Sequence, residues 1–256
     1  MLDYGLFCYL DVEKSGSTFI RRFLRKHVAI PELRGAKHRA APFFSRRARN
    51  KLFFISCRDP LSSYISLYRF GMEGKGGLHD RISVLPEMSA VYDGTPEAFE
   101  RWLRFVLDPA SSAKIARSFG KRQARLYGLM THRFLRLSFR SWDLRYRLLG
   151  SREQVIEHYR SKRIHSAIVR NENLAGDLAE IVRDHLEPYL RDPDEALSEL
   201  AGEAEKVNAS RKSSRFMSAL GNSELLEMVS EREWFFQDCL GYAPPSAPAA
   251  DFQSSR

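Results

Sequence analysis

Twice in its N-terminal third the chain runs a short apolar segment into a turn and then into an amphipathic segment, and that repeated junction limits the fold more than any other feature. The first passage, YGLFCYLDV from Tyr4 to Val12, reads as a buried strand because it is short, apolar and aromatic. It meets the polar string E-K-S-G-S-T, after which Phe19, Ile20, Phe23 and Leu24 recur at helical spacing through Thr18 to His27. Arg21, Arg22, Arg25 and Lys26 fall off that apolar face. The second passage is KLFFISC, Lys51 to Cys57, closed by R-D-P and followed by a helical stripe of Tyr64, Leu67 and Tyr68 within Leu61 to Phe70. Pro60 suits a first helical turn, where its missing N–H would be unpaired anyway. Two strand-to-helix junctions joined by a basic connection predict an α/β chain with a central parallel sheet flanked by helices. Ligands of such sheets bind where strands end and helices begin.

The rest of the chain reads as mainly helical. Gly71 to Gly94, rich in glycine and interrupted by Pro86, predicts a long surface excursion able to act as a lid or substrate loop. Helical patterns follow at Phe99 to Leu107, Ala113 to Arg125, Val155 to Tyr159, Leu174 to Leu190, again after Pro193, and at Ser223 to Leu240; His165 to Val169 suggests one further strand. With 256 residues and 43% hydrophobic content the chain can fill one core, so a single domain over 1–243 is expected, with 244–256 a disordered tail. Cys8, Cys57 and Cys239 lie too far apart for metal-ligand spacing or a disulfide framework, and fit a reducing compartment. No apolar run reaches the ~18 residues of a membrane span, and a strand starting so close to Met1 leaves no room for a signal peptide. A cytoplasmic protein is therefore expected.

A formal charge of +9 favours an anionic ligand or surface. The polar string offers one place for it. A strand that enters a helix presents unpaired backbone N–H groups and the positive end of the helix dipole. Lys14 adds charge, Gly16 permits close backbone approach, and Ser17 and Thr18 add hydroxyls. A Ser or Thr at a helix start also serves as an N-cap, so the string alone leaves both readings open. The nucleotide-triphosphatase loop G-x-x-x-x-G-K-[ST] cannot be drawn, because Lys14 precedes the only glycine of the turn. At the second junction Arg58 ends the strand and Ser66 lies eight positions on, so a guanidinium and a hydroxyl could meet a second anionic group.

Together, K-S-G-S-T after one strand and R-D-P-x-x-x-x-x-S after a later one resemble the sulfotransferases that use 3′-phosphoadenosine-5′-phosphosulfate (PAPS), with carbohydrate sulfotransferases closest in pattern. The resemblance implies a P-loop-NTPase-like sulfotransferase fold, with Lys14, Ser15, Gly16, Ser17, Thr18 and Phe19 on the 5′-phosphosulfate and Arg58 and Ser66 on the 3′-phosphate. QARLYG (Gln123 to Gly128) and AIVRNENLAGDL (Ala167 to Leu178) are similar to further segments of that family. VNASRKSSR (Val207 to Arg215) resembles its donor-closing loop, which implies donor contacts from Arg211 and Lys212.

Sulfuryl transfer is carried by positioning and electrostatics, as phosphoryl transfer is. Lys14 is the candidate to meet charge on the bridging oxygen, and no metal is required. An acceptor hydroxyl needs a general base, and His38, between the two donor strands where the resemblance places a catalytic His or Glu, is the first candidate. Glu32 is the alternative, while His27 caps the C-terminal end of its helix. The basic runs RGAKHR (Arg34 to Arg39) and RRARNK (Arg46 to Lys51) read either as an acceptor groove or as a solvated face. RLSFRSWDLRYR, Arg136 to Arg147, alternates aromatic and basic residues and reads either as a surface for a sugar or nucleic acid or as core aromatics with the Arg side chains outside. The resemblance implies PAPS as donor and a glycan or other small hydroxylated acceptor, and the missing anchor suggests a bacterial cytoplasmic enzyme. Competing readings are a nucleic-acid-binding protein, against which stands the lack of a zinc-finger spacing or RRM-like aromatic signature, and an inactive nucleotide-binding relative.

Overall fold

A computed structural model describes residues 1–41, 51–116, 118–141, 143–207 and 215–246. The described chain is α/β and divides into two compact units, one of 1–59 with 133–212 and one of 60–132 with 213–256.

The first unit is built on a five-stranded sheet: β1 (Leu2–Asp3), β2 (Phe7–Leu10), β3 (Arg34–Gly35), β4 (Leu52–Cys57) and β5 (Ala167–Arg170), in the order β3-β1-β2-β4-β5. β2, β4 and β5 are parallel, as the two junctions require, while β1 pairs antiparallel with both β2 and β3. Antiparallel β1 departs from the single strand expected over Tyr4 to Val12. Gly5 turns the chain there at φ +84°, its N–H bonded to the Asp3 carboxylate at 2.8 Å, so β1 and β2 form a hairpin. The core lies over the sheet face covered by the helix Ser17–His27 (α1). Tyr9, Phe23, Leu24, Phe54, Leu178 and Val182 are all fully buried there. The same α1 turns its charged face to the Pro193–Val207 helix, where Lys26 meets Glu195 and Glu199. His27, expected to cap the C-terminal end of this helix, lies in its last turn, buried and bonded to Glu199 at 2.9 Å.

The second unit opens with the helix Pro60–Met72 (α2), which begins on Pro60 itself. Its Tyr64 and Tyr68 pack among Phe99, Trp102 and Phe216. The 71–94 segment, expected as a surface excursion, is anchored: Ile82, Met88 and Val91 are buried, and Tyr68 donates its hydroxyl to the Val91 carbonyl at 2.9 Å. The helix expected over Ser223 to Leu240 is two, Ser223–Arg232 and Trp234–Leu240, broken at Glu233. That residue is buried and has work elsewhere. Its carboxylate accepts from the Met130 and Thr131 N–H groups, the Thr131 hydroxyl and the Tyr64 hydroxyl, capping the N-terminus of the Leu129–Ser138 helix. Among the described residues no helix is long and apolar enough to cross a membrane.

Candidate functional site

All three parallel strands end at one edge of the sheet, and each delivers a turn there: Asp11 to Gly16 after β2, Arg58 and Asp59 after β4, and Asn171 to Asn173 after β5. The turns are tied together. Glu172 accepts from the Asp59 N–H at 2.9 Å, and Asp177 accepts from the Arg170 N–H and the Asn173 amide. Four residues of the AIVRNENLAGDL stretch thus build the rim of the strand ends.

In the loop after β2, Lys14 sits at φ +67° and Gly16 at φ +79°. Left-handed backbone costs a lysine about 1 kcal/mol and a glycine almost nothing. Gly16 is also the N-cap of α1 and carries no capping side chain, so the Ser17 and Thr18 N–H groups have no intrahelical acceptor. Thr18 is exposed and Ser17 half-buried, which leaves this helix end open to an anion. Gly16 has a second reason to be glycine: a Cβ there would lie 2.1 Å from Leu174 Cδ1. Close backbone approach is thus to the β5 turn as much as to any ligand.

Two of the residues expected to hold the donor are committed elsewhere. The Ser15 hydroxyl, almost fully buried, donates to the Val12 carbonyl at 2.7 Å. Phe19 donates its N–H to the Gly16 carbonyl at 3.0 Å and lays its ring near Phe23. Arg58 directly follows β4 in the first unit and Ser66 lies half-buried on α2 in the second. Arg211 and Lys212 lie outside the described residues, as does most of the RRARNK run.

The sheet register separates the two candidate bases. β1 pairs Leu2 with both Tyr9 and Gly35, and Asp3 with both Cys8 and Arg34. The chain after Gly35 therefore climbs toward Asp11 and the loop, while the chain before Arg34 runs the other way. Glu32 ends near Tyr4, at the far end of the strands, and its carboxylate is bonded by Arg25 through Nε at 2.9 Å and Nη2 at 3.2 Å. The structure does not bring Glu32 to the loop.

It does bring His38. The His38 N–H donates to the Asp11 carboxylate at 2.9 Å, its Nδ1 bonds the Asp11 carbonyl at 2.8 Å, and its own carbonyl accepts from Arg136 Nη2 at 3.0 Å. A carbonyl only accepts, so Nδ1 must carry a proton. In the neutral ring Nε2 is then the free lone pair, the tautomer a general base needs. His38 is half-buried and sits at φ +54°, a conformation such a residue holds only when its surroundings impose it.

Of the two residues that hold this histidine, Asp11 was not singled out in the sequence, and Arg136, expected among the outward Arg side chains of its run, is half-buried instead. Asp11 is fully buried and paired with Arg21 Nη1 at 2.9 Å. A carboxylate closing an apolar strand demands such a partner, and that demand was the available signal. One helical turn from Arg136, Arg133 pairs with Glu13 of the loop at 2.9 Å. Burial pulls the Arg136 guanidinium below its ordinary value, with Arg133 a further cause in the same direction. No cluster of His, Cys, Asp and Glu able to hold a metal occurs among the described residues. No protein-family model, curated protein or solved structure matches the chain.

Proposed function

We propose that the chain is a PAPS-dependent sulfotransferase with the P-loop-like fold of that family, acting on a hydroxyl or amine of a glycan or other small acceptor. One observation carries the reading: an anion loop on the parallel strand ends, with Lys14 in left-handed backbone, shares its end of the sheet with a histidine whose Nδ1 is tied off and whose Nε2 is open. The 5′-phosphosulfate faces the Ser17 and Thr18 N–H groups, and Arg58 serves the 3′-phosphate. His38 Nε2 takes the acceptor proton as the acceptor oxygen attacks sulfur. Lys14 meets the charge that stays on the bridging oxygen as its bond to sulfur breaks. The products are a sulfate ester and adenosine 3′,5′-bisphosphate.

The deciding experiment is thermal unfolding with adenosine 3′,5′-bisphosphate, ATP or single-stranded DNA, followed by transfer of label from [35S]PAPS to a panel of sugars. Stabilisation by the bisphosphate alone, at about 2.7 kcal/mol when ligand stands a hundredfold above its dissociation constant, is the expected result. Equal stabilisation by all three ligands, or by DNA only, favours the nucleic-acid reading. Bisphosphate binding without transfer to any acceptor favours the inactive relative.

A further inference from the structure

Beneath the anion loop lie three hydroxyls in line. Tyr9 Oη is 2.7 Å from Ser56 Oγ, Ser56 Oγ is 2.6 Å from Ser15 Oγ, and Ser15 Oγ is 2.7 Å from the Val12 carbonyl oxygen. Tyr9 and Ser56 are fully buried and Ser15 nearly so. The direction of every bond follows from the last one. Val12 O can only accept, so Ser15 spends its one hydrogen there; Ser56 must then donate to Ser15, and Tyr9 must donate to Ser56. Burial also pushes the Tyr9 hydroxyl well up from its ordinary value, so the head of the line keeps its proton.

We infer that this one-way line holds the anion loop in its working shape before any ligand arrives, with Ser56 and, more weakly, Tyr9 as positioning residues. Tyr9 belongs to β2 and stacks on Phe54 at 5.1 Å, and Ser56 belongs to β4, so the line reaches from the rigid interior into the loop that carries Lys14. Ser15 closes the Val12 to Ser15 turn, and the strained φ of Lys14 lies inside that turn. To open, the loop would have to strand buried hydroxyls without partners, which proteins avoid. A loop fixed in this way binds without an ordering cost. That it is fixed for a sulfuryl donor rests on the function proposed above; that it is fixed does not.

The direction of the line makes the test specific. Tyr9→Phe removes the first hydroxyl but leaves Ser56, Ser15 and Val12 joined, whereas Ser56→Ala cuts the line next to the loop. Two quantities are read: the rate of trypsin cleavage at the Lys14–Ser15 bond, located by mass spectrometry, and the dissociation constant for adenosine 3′,5′-bisphosphate by calorimetry. Ser56→Ala is expected to raise the cleavage rate and weaken the bisphosphate each by about tenfold. Tyr9→Phe is expected to change both by less than about twofold, although its melting temperature also falls. Ser15→Ala, which removes the last link, is expected to match Ser56→Ala and replaces it if that variant does not fold. Cleavage rates that simply follow melting temperature, or that rise equally in Tyr9→Phe and Ser56→Ala, overturn the inference. If wild type fails to bind bisphosphate the sulfotransferase reading fails, while the cleavage comparison still decides the role of the line.

Discussion

Lys14 and His38 are both non-glycine residues held in left-handed backbone, and both sit at the loop end of the sheet. Such strain costs about 1–3 kcal/mol per residue and concentrates at working sites. Lys14→Gly separates function from fold: melting temperature is expected to hold or rise, because glycine accepts φ +67° freely, while sulfuryl transfer drops by at least about a hundredfold. His38→Gln makes the complementary case. Donor affinity measured by calorimetry should stay within about threefold of wild type, while kcat falls about a hundredfold or more, in line with loss of a general base. A variant that turned over normally would remove His38 from the mechanism. Lys14 and His38 could be picked out as candidates in the sequence because their signals are local: a lysine in a polar string at a helix start, and a lone imidazole in a basic loop. Asp11 and Arg136 could not, since what matters about them is which backbone groups they meet, and Arg136 comes from a helix nearly a hundred positions away.

Gly16 and Glu233 show how elements are fixed to one another by single contacts. Gly16→Ala places a methyl against Leu174 and in unfavourable backbone, so a loss of about 2–4 kcal/mol in urea unfolding is expected. Adding Leu174→Ala should return only the part due to that contact, and the remainder reports the φ +79° requirement together with the 2.9 Å approach to Asn171 Oδ1. Glu233 is the buried cap of the Leu129–Ser138 helix, its carboxyl pushed above the ordinary range by burial and drawn back by its four donors. Glu233→Ala leaves all four donors without a partner and is expected to cost about 3–5 kcal/mol. The sequence showed a continuous helical pattern across this residue, because apolar periodicity marks faces and gives no weight to one buried acid that breaks the register. For the same reason α1, β4 and α2 were placed nearly to the residue, whereas the β1–β2 hairpin was missed: its turn shows only Asp3 and Gly5 between two short apolar stretches.

His165 gives the protein a measurable response to acid. It is buried between Phe134 and Tyr159, and burial, with Arg163 a further cause, pulls its imidazole down to about 3. The folded state therefore refuses a proton that the unfolded state takes up near the ordinary value of 6.5. Stability from this group is complete above 6.5 and declines as pH falls toward 3; at pH 5 the loss is about 2 kcal/mol. Urea unfolding of wild type and His165→Phe at pH 7 and pH 5 checks this: wild type should lose more between the two by about that amount. The parallel centre of the sheet was readable from two strand-to-helix junctions alone, but not the division into two units, each assembled from separated stretches of chain. That division sets a timetable for synthesis. β4 ends at Cys57, and its neighbour β5 begins only at Ala167, after the stretch that builds much of the other unit. At synthesis rates of ~5–20 residues per second, one long edge of β4 waits roughly 5–20 s for its partner. During that wait the backbone of Phe54 to Cys57 has no strand beside it on that side, and the nascent chain is most exposed to mispairing at the strand that will later anchor the loop.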